Sequence, residues 1–148
     1  MALTGCGFRL RGFDTPGLAL EELALAGDDS ELARLVEERL VAVGTQVHDN
    51  APLVLNLGPE TFRERQLSVL DSGPQERVMS LTVPFSVLRR SDGAYRLSEQ
   101  RLEVSTRFTV SDDNLLAQDE LREEARQELR QEAQRRLFER LRSLTDGS

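Results

Sequence analysis

Met79-Ser80-Leu81-Thr82-Val83-Pro84-Phe85-Ser86-Val87 is the stretch that decides the fold. Met79, Leu81, Val83, Phe85 and Val87 alternate with Ser80, Thr82, Pro84 and Ser86. That two-residue period belongs to a strand with one face on a core and the other toward water. Pro84 has no N–H to give to a ladder, so it must meet an unpaired edge or a bulge.

Turn chemistry stands on both sides of this strand: Asp71-Ser72-Gly73-Pro74 before it and Arg89-Arg90-Ser91-Asp92-Gly93 after it. Glycine, proline and Asp-Gly steps favour tight reversals, so residues 53–108 are expected to form three antiparallel strands. In the first, Leu53, Leu55 and Leu57 alternate and Gly58-Pro59 interrupts. Arg63, Arg65, Leu67 and Val69 then share one face, opposite Phe62, Glu64, Gln66, Ser68 and Leu70. This predicts a bulge within one long strand. In the third, Tyr95 and Leu97 fall in one phase and Leu102, Val104, Thr106 and Phe108 in the other, which predicts a bulge near Ser98 to Arg101.

Helical periodicity lies on either side of the strands. Leu32, Leu35, Val36, Leu40 and Val43 recur at helical spacing, with Ser30 or Asp29 as N-cap and Gly44 placed to end the helix. Residues 18–26 before it, with Leu18, Leu20, Leu23 and Leu25, are read as a strand closed by Gly27-Asp28-Asp29-Ser30. Residues 45–52 form a loop or short strand carrying the single histidine, His48, read as exposed and inert. A last helix is expected over about 115–144, capped within Ser111-Asp112-Asp113-Asn114. Its Leu121, Ala125, Leu129, Ala133, Leu137 and Leu141 recur every four residues. Such a stripe winds around the helix by about 40° per step. The final turns, with Leu137, Phe138, Leu141 and Leu144, should therefore pack on the first helix or a partner. The charged residues between, Arg122 and Arg130 among them, read as a solvated face.

The order β-α-β-β-β-α gives an α+β fold: an antiparallel-rich four-stranded sheet with two helices packed on one face. One domain is expected over 18–148, preceded by a terminal segment and spacer over 1–17. The 148 residues, 39% hydrophobic and 30% charged, suffice for one real core. A formal net charge of −7 argues against nonspecific nucleic-acid binding, which needs clustered positive charge. All 19 basic residues are arginine, whose planar fork suits phosphates and carboxylates, although a GC-rich genome would give the same bias. One histidine and one cysteine provide neither a triad nor a metal site, and no phosphate-cradling glycine loop or nucleophile elbow occurs. No enzyme and no cofactor are expected.

Leu3-Thr4-Gly5-Cys6 has the pattern of a bacterial lipobox, in which the cysteine thiol receives a diacylglycerol. Each buried methylene contributes about 0.8 kcal/mol, so two or more chains anchor firmly. An export leader would need an apolar run that five residues cannot supply, so it is missing from the sequence, or Cys6 is never exported. The continuation Cys6-Gly7-Phe8-Arg9-Leu10-Arg11-Gly12 resembles the mature start of the LptE family of lipopolysaccharide-assembly lipoproteins. The order of elements is similar over nearly the whole chain.

That resemblance implies an outer-membrane lipoprotein, anchored by a covalent lipid on Cys6, that plugs and supports assembly of the LptD β-barrel in a one-to-one complex. It also implies help in delivering lipopolysaccharide to the surface. The family's lipid-facing region lies near the turn between the second and third strands. Here the nearest cations are Arg65 and Arg77, with Arg63 two residues further, and these three are the candidate lipopolysaccharide ligands. A second basic position of the family falls on Gln118. Arg89 and Arg90 are candidates for contact with the barrel or with phosphate. Two other readings stay open: a free-standing periplasmic lipid carrier on the same tether, and a cytoplasmic interaction domain with a chance lipobox.

Overall fold

The strand built on the Met79-to-Val87 alternation is the spine of the sheet. The structure, a computed structural model, describes residues 20–67, 73–111 and 113–146. Its elements are β1 (Glu22–Gly27), α1 (Glu31–Ala42), β2 (Gln46–Val47), β3 (Leu53–Leu57), β4 (Thr61–Gln66), β5 (Gln75–Arg89), β6 (Tyr95–Val110) and α2 (Leu115–Asp146). All five alternating apolar residues of β5 are buried, each at 2% exposure or less.

β3 and β4 lie end to end along one edge of β5, and β6 lies along the other. Leu57 pairs with Phe85 and Thr61 with Thr82, so Gly58, Pro59 and Glu60 stand opposite only Val83 and Pro84. This is the expected bulge. Gly58 N donates to Pro84 O at 2.8 Å, so the backbone of Pro84 faces the bulge, where its missing N–H interrupts no ladder. A Cβ on Gly58 would come within 2.6 Å of Pro84 Cγ. The close approach therefore requires glycine.

The sheet differs in detail from the expected antiparallel-rich four-stranded one. Among the described residues the sheet has six strands, and β1 runs parallel to both β2 and β3. The physical reason lies in the connection: a strand that leads through a helix back into the same sheet returns parallel. The sheet is thus mixed, with the β1–α1–β3 crossover at one side and antiparallel hairpins at the other. At the join, Gly27 has φ +107° and a Cβ there would meet Leu57 O at 2.1 Å.

β6 carries the predicted irregularity opposite Ser86, where Gln100 pairs with Phe85 and Leu97 with Val87. A second shift separates Leu97 from Tyr95, which pairs with Leu88. Leu97 consequently packs against the core, and Tyr95 is 60% exposed. The two were expected in one phase; the extra residue, Arg96, breaks it.

α1 is capped by Ser30 Oγ, which accepts from Ala33 N at 3.0 Å. α2 is capped by Asn114 Oδ1, which accepts from Ala117 N at 3.1 Å. The helices run in the same direction side by side: Gln127 bonds Glu31, Gln134 Nε2 donates to Leu35 O at 2.9 Å, and Arg39 lies 5.8 Å from the Phe138 ring centre. Leu129, Ala133, Leu137 and Leu141 join Leu32, Val36 and Leu40 in one core with β3, β5 and β6. Each fully buried Leu, Val or Phe contributes about 1.5–3 kcal/mol relative to exposure. Phe138 meets α1 as expected of the final turns, the contact begins as early as Gln127, and Leu137, Leu141 and Leu144 are buried too.

Candidate functional site

Directly paired residues of antiparallel strands point to the same face, so the register sorts the charged side chains of β4, β5 and β6. Phe62 opposite Leu81, Glu64 opposite Met79 and Gln66 opposite Arg77 lie on the helix side. Arg63 opposite Ser80 and Arg65 opposite Val78 lie on the outer side. Across β5, Ser105 is opposite Ser80 and Arg107 opposite Val78. The outer face therefore carries a row Arg65, Val78, Arg107 beside a row Arg63, Ser80, Ser105. Two strand spacings, about 10 Å, separate Arg65 from Arg107. Long guanidinium side chains span that gap easily. Among the described residues these three arginines have no ion-pair partner, and a concavity of about 670 Å³ lies over Arg63, Arg65, Ser80 and Ser105, with Glu103 at its border.

Arg77 is not brought to this face. Its Nη1 donates to Glu64 Oε2 at 2.8 Å, while Arg122 of α2 donates from Nε to Glu64 Oε1 at 2.8 Å and from Nη2 to Oε2 at 3.2 Å. Burial alone would raise the pKa of Glu64, but hydrogen bonds from Arg122 and Arg77 and their charges hold it below the usual carboxylate value. The bond to Glu64 likewise raises the Arg122 pKa against the effect of burial. This triad ties β4 and β5 to the first half of α2.

A second cluster ties the bulge to both helices. Arg130 donates from Nε to Glu60 Oε2 at 2.9 Å and from Nη2 to Oε1 at 3.1 Å, and its Nη1 lies 3.1 Å from Glu31 Oε2. Its guanidinium sits 5.1 Å from the Phe62 ring centre, a favourable cation–π contact. The bond to Glu60 raises its pKa against the effect of burial. Glu60 Oε2 also accepts from Leu32 N at 3.1 Å, satisfying a free amide at the start of α1. Arg122 and Arg130 are thus not on a solvated face as expected: Arg130 is 8% exposed. The winding of the apolar stripe turns these positions toward the sheet in the first half of α2.

The remaining candidates fall in scaffolding positions. Arg90 Nε donates to Ala51 O at 2.9 Å, its Nη2 to Asp49 O and its backbone N to Pro52 O at 2.8 Å, which fastens the β5–β6 turn to the loop before β3. Arg89 lies 3.6 Å from Asp92 in the same turn. Gln118 is buried and donates to Ser111 O at 2.7 Å. His48 is half-buried rather than exposed, with Nε2 2.6 Å from Glu22 Oε1 across β1. Cys6 and the Asp71-Ser72 tip lie outside the described residues. Arg107 was missed as a site residue, although the phase of Leu102, Val104 and Thr106 already put it on the outer face. Among the described residues no group of three His, Cys, Asp or Glu could hold a metal ion, and no helix is long and apolar enough to cross a membrane.

No curated protein matches the chain. Among solved structures it is similar to rare lipoprotein B from Shewanella oneidensis, at 23% identity and TM-score 0.73 over 85% of this chain and 97% of that one. It is also similar to a minor lipoprotein from Acinetobacter baumannii, at 18% identity and TM-score 0.70 over 85% of this chain and 93% of that one. These likenesses show a shared fold. Residues 10–141 match the family LptE, Lipopolysaccharide-assembly, and the chain belongs to that family.

Proposed function

We propose that this chain is an outer-membrane lipoprotein, tethered through a lipid on Cys6, that sits as a plug in the lumen of the LptD β-barrel, supports its assembly and engages lipopolysaccharide on its way to the surface. The family match over 10–141 carries the reading. The role is non-covalent. The folded domain fills the lumen and offers polar surface to the barrel interior, while guanidiniums meet lipid A phosphates in charge-assisted bonds.

A net charge of −7 and a polyanionic ligand conflict only on average. Glu60 and Glu64 are neutralised on the helix side by Arg130, Arg122 and Arg77. Among the described residues Arg63, Arg65 and Arg107 have no ion-pair partner on the other side of the sheet, beside the Ser80 and Ser105 positions. We assign the phosphate contacts to these three, with Arg107 in the place first expected of Arg77. Pull-down on immobilised lipopolysaccharide tests it: the Arg63→Glu, Arg65→Glu, Arg107→Glu triple variant should retain its circular dichroism spectrum and bind more than about tenfold more weakly. Unchanged binding would remove lipopolysaccharide from this face.

A further inference from the structure

The direction of the β6 backbone follows from two hydrogen bonds on the far side of β5. Gly58 N donates to Pro84 O and Leu67 N to Glu76 O, so even-numbered residues of β5 aim their peptide groups at β3 and β4. Odd-numbered residues aim theirs at β6, where their partners are 100, 102, 104, 106 and 108. Arg101, Glu103, Ser105, Arg107 and Thr109 must then present N–H and C=O groups outward, on an edge that no strand among the described residues covers. A cleft of about 580 Å³ starts at Ser105 and Thr106 of this edge and extends along Glu128, Glu132 and Phe138 of α2 to Arg39 of α1. A strand edge flanked by a helix is the geometry that accepts an extended peptide as an added strand.

We propose that the 101–109 edge of β6 receives an extended segment of the barrel partner, which lies in the cleft beside α2 as a further strand of the sheet. The proposal rests on the barrel-plug reading and specifies how the two chains join. Charge selects the segment. On the outer face it should place a base opposite Glu103 and an uncharged residue opposite Arg107, which leaves that guanidinium to phosphate. On the helix face it should place a base opposite Thr106, whose hydroxyl donates to Glu128 at 3.0 Å, a carboxylate that among the described residues has no cation within 4 Å. Charged edges also discourage chance pairing. A strand that enters here must therefore match this pattern, and a generic apolar strand is rejected.

Residue-resolved amide exchange on the free lipoprotein and on its detergent-extracted complex with co-expressed LptD tests the assignment. In the free chain, the amides of Glu103, Ser105 and Arg107 should exchange at least about tenfold faster than those of Leu102, Val104 and Thr106. In the complex they should slow by about a hundredfold. A complex in which they stay fast overturns the edge assignment and leaves the plug reading intact. Absence of any complex removes both, and slowing in the free chain that grows with its concentration assigns the edge to a second copy instead. Ser105→Pro gives an independent readout, because it deletes an outward N–H and spares the β5 ladder. It should keep the thermal midpoint within a few degrees and cut the complex yield about tenfold, and full yield from a folded variant overturns the proposal.

Discussion

Arg130 of α2 and Glu60 of the β3–β4 bulge form a two-pronged ion pair at 2.9 and 3.1 Å, and the same carboxylate caps Leu32 N. Both side chains are nearly buried, at 10% and 12% exposure. Removing one partner strands the other in a poor solvent for charge. Arg130→Met should destabilise the fold by about 3 kcal/mol in urea unfolding, and adding Glu60→Gln should restore part of the loss. Additive losses would show that the two residues act independently.

The lowered pKa of Glu64 predicts an acid-sensitive contribution to stability. The unfolded value is that of an ordinary glutamate, about 4.3, and the folded value lies below it. The contribution is therefore complete above the unfolded pKa and is lost as pH falls through the folded one. Thermal midpoints recorded downward from about pH 6 should decline less steeply for Glu64→Gln than for the wild type. Parallel curves would contradict the assignment.

Gly27 and Gly44 both have positive φ, at +107° and +96°, but only Gly27 is hemmed in. A Cβ at Gly44 meets nothing within 4 Å, while one at Gly27 runs into the Leu57 carbonyl. Gly44→Ala should cost about 1 kcal/mol from backbone conformation alone. Gly27→Ala should cost more, about 3 kcal/mol with the strain at the parallel join. Equal losses in denaturant midpoints would mean that the β1–β3 join yields freely.

Arg77 and Arg65 flank one hairpin and should behave oppositely. Arg77→Glu faces Glu64 across 2.8 Å and should lower the melting temperature with lipopolysaccharide binding per folded molecule retained. Arg65→Glu lies on the outer face and should weaken binding with little change in melting. A reversal of the two effects would contradict the assignment of faces.

Periodicity carried most of the fold. The alternation in β5 identified its buried face, Pro84 and Gly58-Pro59 located the bulge, and Ser30 and Gly44 bounded α1. The parallel join of β1 to β3 was less legible, because side-chain alternation is the same for either strand direction. The site was half legible for a related reason. Alternation put Arg63 and Arg65 together, but whether Arg77 joins them depends on the pairing of Gln66 with Arg77, which a turn sequence alone does not determine. Arg122 and Arg130 looked solvated because opposite charges at helical spacing satisfy one another on paper. Only the twist of α2 over the sheet brings them to Glu64 and Glu60.

The barrel-plug role is tested most directly by native mass spectrometry of the lipidated protein extracted in detergent from cells that express it with LptD. The account predicts one copy of this chain, carrying acyl groups on Cys6, in each complex with one barrel. A chain recovered free of the barrel, or with an unmodified thiol at Cys6, would contradict it.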